Sequence, residues 1–133
     1  MKSIGFMQGR LSNVIDGVIQ EFPWKSWEDE FHIASEIGMH TMEWTLDQAD
    51  LYLNPLLTNK GQEKISHLCE IYSLNIPSLT GDCFMQSPFW KAEGSEKKSL
   101  ISDFVSIVNA CGKLKIGIIV IPLCDNGSLE NSQ

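Results

Sequence analysis

No apolar run in this sequence approaches the 18 or more residues of a membrane-spanning helix. The opening MKSIGFMQGR has one lysine before a short apolar patch that Gln8 and Arg10 interrupt, so it lacks the apolar core of a secretory signal. Basic residues are few, ten against seventeen acidic, for a formal net charge of −7. That balance argues against a nucleic-acid partner, which needs a basic footprint, and against an anionic membrane surface. One or two placed cations would still serve a small anionic ligand. The four cysteines, Cys69, Cys83, Cys111 and Cys124, are far apart and form no C-x-x-C pair. In a chain without an export signal they are expected to be free, mostly buried thiols, and the protein cytoplasmic.

Several catalytic signatures are missing too. Gly5 and Gly9 do not make G-x-G-x-x-G, and there is no G-x-x-x-x-G-K-[ST] loop or G-x-S-x-G elbow. His32, His40 and His67 show no H-E-x-x-H or H-x-H spacing, which argues against a self-contained zinc site.

What is present is a repeated alternation of short apolar strands and longer amphipathic helices. The 133 residues, 43% hydrophobic, suit one domain. Strands are expected at 3–7, 41–45, 76–79 and 117–121. Helices are expected from Ser26 to Gly38, at 60–74 and at 96–111. Trp27, Phe31 and Ala34 would share one face of the first helix, Ile65, Leu68, Cys69 and Tyr72 one face of the second. In the third the inward stripe would be Ile101, Phe104, Val108 and Cys111. Pro77 is awkward in a central strand and tolerable only near its start. The run Ile118-Ile119-Val120-Ile121 reads as a strand buried on both faces of a parallel sheet. The expected class is α/β, built of parallel βαβ repeats with right-handed crossovers. After the fourth strand no fourth helix follows, so the chain reads as a single partial domain, 1–133, cut short before that helix.

In parallel α/β proteins ligands bind at the carboxyl ends of the strands. Those ends carry Gln8 and Arg10, then Glu43 and Trp44, then Asp82, then Asp125 and Asn126. Such a set suits a small, hydroxyl-rich ligand. Arg10 offers a fork of donors to a carboxylate, a phosphate or adjacent hydroxyls, or else a salt bridge to a loop acid. Glu43 would hold a hydroxyl, or simply face solvent. Trp44 would wall a pocket or pack in the core, and Asp82 and Asp125 serve equally well as turn or capping residues. Phe84, Met85, Phe89 and Trp90 form an aromatic loop that is either a lid or packing for the next helix.

The stretches IGFMQGRLS, FPWKSWEDEFHIASEIGMHTMEW, NPLLTNKGQEKI and IVIPLCDN resemble sugar-phosphate isomerase/epimerase proteins with a xylose-isomerase-like TIM barrel. The resemblance covers about residues 4–126, with Lys115 standing where that family often has glycine. It implies the N-terminal half of a (β/α)8 barrel, strands one to four and helices one to three, since a whole barrel takes around 250 residues. It further implies proton transfer next to a carbonyl, through an enediolate that a divalent cation (Mn, Mg or Co) stabilises. The family's metal ligands lie on later strands, so this chain alone is expected to hold no metal and to be inactive. Gln8, Arg10 and Glu43, which match the family's first half, would then line the substrate side of the pocket and carry no catalysis, with Trp44, Asp82 and Asp125 joining them from their strand-end positions to bind a small sugar or sugar phosphate. Exposed strand edges would invite self-association. Two other readings remain: a small doubly wound ligand-binding domain, and a self-associating half-barrel without catalysis. Strand order separates the folds, 1-2-3-4 for a barrel piece and 2-1-3-4 for a doubly wound sheet.

Overall fold

Each βα repeat contributes one short strand, and the strands assemble in chain order. The computed structural model describes residues 4–14, 17 and 21–129. Strand β1 is Phe6–Met7, followed by helix α1 at Asp29–Glu36 and β2 at Thr41–Thr45. Two 3₁₀ turns, Leu51–Leu53 and Pro55–Leu57, lead into α2, Asn59–Tyr72. Next come β3 (Asn75–Thr80), a short α3 (Asp82–Gln86), the long α4 (Gly94–Lys113), β4 (Ile118–Val120) and a 3₁₀ turn at Asp125–Gly127. All pairings are parallel and the sheet order is β1-β2-β3-β4. The class is α/β, and the order is not the 2-1-3-4 of the doubly wound alternative. No helix among the described residues is long and apolar enough to cross a membrane.

Register sorts the strand residues onto two faces, because successive side chains alternate. Met42, Trp44 and Leu79 point to the helices and are fully buried with Phe31 and Ala34 of α1, Ile65 of α2 and Ile107 of α4. Met7, Glu43, Ser78 and Ile118 align across the other face, with Thr45, Thr80 and Val120 in the next row. That second face is open at β4, where Ile118 is 58% and Val120 41% exposed. The expectation of a strand buried on both faces is therefore corrected. Among the described residues helices cover only one side of β4, and its apolar run has one covered face there.

Helix ends follow local chemistry. Thr58 caps α2 by accepting the Gly61 N–H at 3.0 Å. Gly61 is required there, because a Cβ would meet the Pro55 backbone at 2.2 Å. Ser26 does not start α1. Its hydroxyl donates to Ser12 instead, at 2.9 Å, and the helix begins three residues later. Ser3, the expected start of the first strand, lies outside the described residues. In α4 the inward stripe is rotated from the expected one: Ile107, Ala110 and Cys111 are buried, while Ile101 and Val108 are exposed. Ile107 replaces them because α4 packs beside the turn at Pro55–Leu57, over the core.

Two irregularities are informative. Thr41 pairs with Asn75 and Glu43 with Ser78, so β3 carries one extra residue between these pairings. The bulge falls where Pro77 has no N–H to give the ladder, which is how a proline sits inside this strand. At the end of α4, the Ile116 N–H bonds to the Cys111 carbonyl at 2.9 Å and Lys115 is left-handed, with φ +60°. This C-terminal motif normally takes glycine. Lys115→Gly is expected to stabilise the fold by about 0.5–1 kcal/mol, net of the freer unfolded chain. Urea unfolding measures it, and a loss of stability would show that the lysine side chain makes up for its backbone.

Candidate ligand site at the strand carboxyl ends

The carboxyl ends of β1, β2 and β3 converge on one carboxylate. Glu43, half-buried on the open face, accepts a hydrogen bond from the Ser78 hydroxyl at 2.6 Å and another from the Thr80 hydroxyl. Register makes this arrangement: Ser78 stands directly beside Glu43, and Thr80 one row further toward the carboxyl end. The two hydroxyls give their protons to the carboxylate and keep lone pairs. The cluster is therefore rich in acceptors for the hydroxyl protons of a ligand.

Gln8 supplies the complementary donor. It is buried at the end of β1, where its N–H donates to the Glu43 carbonyl at 2.9 Å and its side-chain Oε1 accepts the Thr45 N–H at 3.1 Å. The Thr45 hydroxyl donates to the Gln8 carbonyl at 3.2 Å. These bonds use every Gln8 group except Nε2, which is buried and has no hydrogen-bond partner among the described residues. A buried amide donor left unmade costs about 1–3 kcal/mol.

Behind Gln8 the loop is held by Glu30 of α1. This fully buried carboxylate accepts the Gly9 N–H through both oxygens (2.8 and 3.0 Å) and the Leu11 N–H at 3.0 Å. Burial pushes its pKa above the ordinary carboxylate value, with the backbone donors and Ser12 pulling the other way. Arg10 sits on this clamped turn, exposed, its own N–H bonded to the Met7 carbonyl at 3.1 Å. A second brace is Asp47, which accepts the Phe22 N–H at 2.9 Å and the Gln86 side-chain amide at 2.8 Å.

The remaining expected site residues separate. Trp44 lies on the opposite face of β2 from Glu43, fully buried among Phe22 and Trp27, its ring N–H donating to Asn54 at 3.3 Å. Asp82 is buried as the first residue of α3. Asp125 is exposed in the turn after β4, with φ +47°. The expected aromatic loop is partly helical, and Phe84 and Phe89 stack against Phe104 of α4. Packing, not a lid, is what those rings do. The site residues that sequence reasoning missed are Ser78, Thr80, Thr45, Glu30 and Asp47. For Ser78 and Thr80 a signal existed, the polar–apolar–polar order of Ser78-Leu79-Thr80 (PSLT).

The thiols stand apart from this chemistry. Burial pushes Cys69 and Cys111 up to about 11 and Cys83 to about 12, so they stay protonated at neutral pH. All four cysteines are free, with Cys83 and Cys111 buried and Cys124 exposed. A cleft of about 550 Å³ between the segment just before α1 and helix α2 is lined by Trp27, Leu53, Lys64 and His67, and none of Gln8, Glu43, Ser78 or Thr80 reaches it. Among the described residues no group of three or more His, Cys, Asp or Glu side chains is placed to hold a metal ion. No family model and no curated protein matches the chain.

Proposed function

We propose that this chain is the substrate-side half of a sugar or sugar-phosphate isomerase/epimerase barrel. The observation that carries the reading is the pairing of Glu43, with its two hydroxyl partners, and the buried amide of Gln8, unpartnered among the described residues, at adjoining strand ends. The sequential parallel sheet and its one open face support it, since a TIM barrel has strands in chain order and helices only outside.

In this role Glu43 accepts the protons of sugar hydroxyls, and Gln8 Nε2 donates to a carbonyl or hydroxyl oxygen. Together they fix which carbon of the sugar faces the rest of the pocket. Arg10, on the turn that Glu30 clamps, is placed to add positive charge for a phosphate. Ser78 and Thr80 hold the Glu43 carboxylate in one orientation. The proton transfer itself, and the cation that the resemblance implies for the complete barrel, belong to residues other than these.

Calorimetric titration with five- and six-carbon ketoses and aldoses, with and without a phosphate, tests the reading. The chain is expected to bind at least one of them saturably. Glu43→Gln should weaken that binding about ten- to a hundred-fold, the worth of one charge-assisted hydrogen bond. A wild-type chain that binds none of these sugars would overturn the proposal.

A further inference from the structure

We propose that Glu30 is a positioning residue for this site: from within α1 it fixes the turn that carries Arg10, and so sets the preference for a phosphorylated ligand. The inference rests on the substrate-side reading and deepens it, by naming what holds the guanidinium in place. Glu30 lies on the inward face of α1 beside Phe31 and Ala34, and no part of it is exposed. For packing alone an apolar side chain would serve there, since a carboxylate is costly to bury unless hydrogen bonds satisfy it. One short turn satisfies this one. The Gly9 N–H reaches both oxygens and the Leu11 N–H one of them. Ser12 adds its own N–H and its hydroxyl, and that hydroxyl accepts in turn from Ser26 at 2.9 Å.

Arg10 is the residue this arrangement immobilises. Its neighbours on both sides give their N–H groups to Glu30, and its own N–H bonds to the Met7 carbonyl at 3.1 Å. Successive N–H groups gathered on one anion form a stiff backbone concavity, and here the anion is part of the chain. Gly9 permits the shape: its φ is +93°, and a Cβ would meet the Glu21 carbonyl at 3.0 Å. On the strand side the turn is tied to the site itself. Gln8 is bonded through its N–H to the Glu43 carbonyl and through its side chain and carbonyl to Thr45. Glu30 and the end of β2 thus grip the same few residues from two directions, and the exposed Arg10 side chain leaves from between them.

The grip matters to affinity because a guanidinium on a loose turn must lose backbone as well as side-chain freedom when it closes on a phosphate. With the backbone already fixed, only the side chain is left to order. Sugar hydroxyls are taken by Glu43, which Ser78 and Thr80 orient without any help from Glu30. Loss of the Glu30 clamp should therefore remove the contribution of the phosphate and spare that of the hydroxyls. A group that merely filled the core would weaken both alike.

Limited trypsin digestion of the full chain, read by mass spectrometry, tests the grip without any ligand. Cleavage after Arg10 needs the turn to open, and cleavage after Lys98, exposed on α4, needs that helix to open. Glu30→Ala should speed cleavage after Arg10 about ten-fold or more beyond any change after Lys98. Glu30→Asp keeps the charge but is one methylene too short, so it should show the same selective rise, and it decides the matter if Glu30→Ala does not fold. Equal acceleration at both bonds, or none after Arg10, would overturn the proposal. Calorimetry then compares a five- or six-carbon sugar that the wild type binds with its monophosphate. The wild type should favour the phosphate about ten-fold or more, the worth of a charged hydrogen bond, and the variants should bind both forms about equally. A phosphate preference kept by the variants, or missing from the wild type, would overturn the proposal and leave the substrate-side reading standing. A wild type that binds no sugar removes that reading, and cleavage after Arg10 still decides whether Glu30 holds the turn.

Discussion

Replacing Trp44 by alanine should cost about 3–5 kcal/mol, the range for truncating a large aromatic in a packed core. Trp44 has no exposed surface, its ring centroid lies 5.5 Å from that of Phe22 and 5.8 Å from that of Trp27, and it joins β2 to the loop before α1. Its ring N–H donates to Asn54 Oδ1, which also takes the Leu56 N–H at 3.0 Å and so starts the second 3₁₀ turn. Removing the ring leaves a cavity under that turn as well as lost contact area. Against a total stability of about 5–15 kcal/mol, that loss removes from about a fifth to all of it. Thermal unfolding measures this directly. A fall smaller than about 1 kcal/mol would mean that the site collapses around the missing ring.

The second large effect is expected at Glu30. Glu30→Ala leaves the part-buried Gly9 and Leu11 amides without their acceptor; since the full cost of about 1–3 kcal/mol applies to a fully buried orphan, a loss of about 2–4 kcal/mol is expected for the two together. Glu30→Gln keeps one acceptor oxygen and should lose less. The pH dependence has a definite sign. Burial raises the folded-state pKa above the unfolded value, so the folded chain holds the proton more tightly. This contribution to stability is fully present below the ordinary carboxylate pKa and is lost as pH rises through the raised one. Urea unfolding across that window should show the decline in the wild type and a flatter profile in Glu30→Gln. An unchanged slope would place the titration elsewhere.

The sequence carried the class and the strand order well, for reasons that particular elements make plain. Strand β2 and helix α2 lie within two residues of their expected ends, because Thr41–Thr45 is β-rich and the α2 stripe is regular. Gln8 and Glu43 were legible as candidates because a parallel sheet puts ligands at its strand ends. Trp44 was ambiguous for the same reason: strand alternation sends neighbours to opposite faces, and which one faces the helices depends on register. Glu30 and Asp47 were not legible at all, since each acts on amides 19 to 25 residues away in sequence. For α4 the error was one of rotation. Apolar residues cover more than half of its circumference, and periodicity alone does not tell a buried flank from an exposed one.

The bulge at Pro77 has a consequence for how this strand tolerates insertion and deletion. In a regular ladder, one surplus residue reverses the parity of everything after it. Here it would send Ser78 toward the helices and Leu79 out onto the open face, dismantling the Glu43 cluster and the core in one slip. The bulge swallows the surplus where the backbone has no N–H to lose, and Ser78, Leu79 and Thr80 stay in phase with Glu43, Trp44 and Thr45. Deleting Pro77 should simply straighten the strand. Deleting Leu79, two residues on, would remove a core side chain and bring Thr80 up beside Trp44, out of phase with the carboxylate it serves.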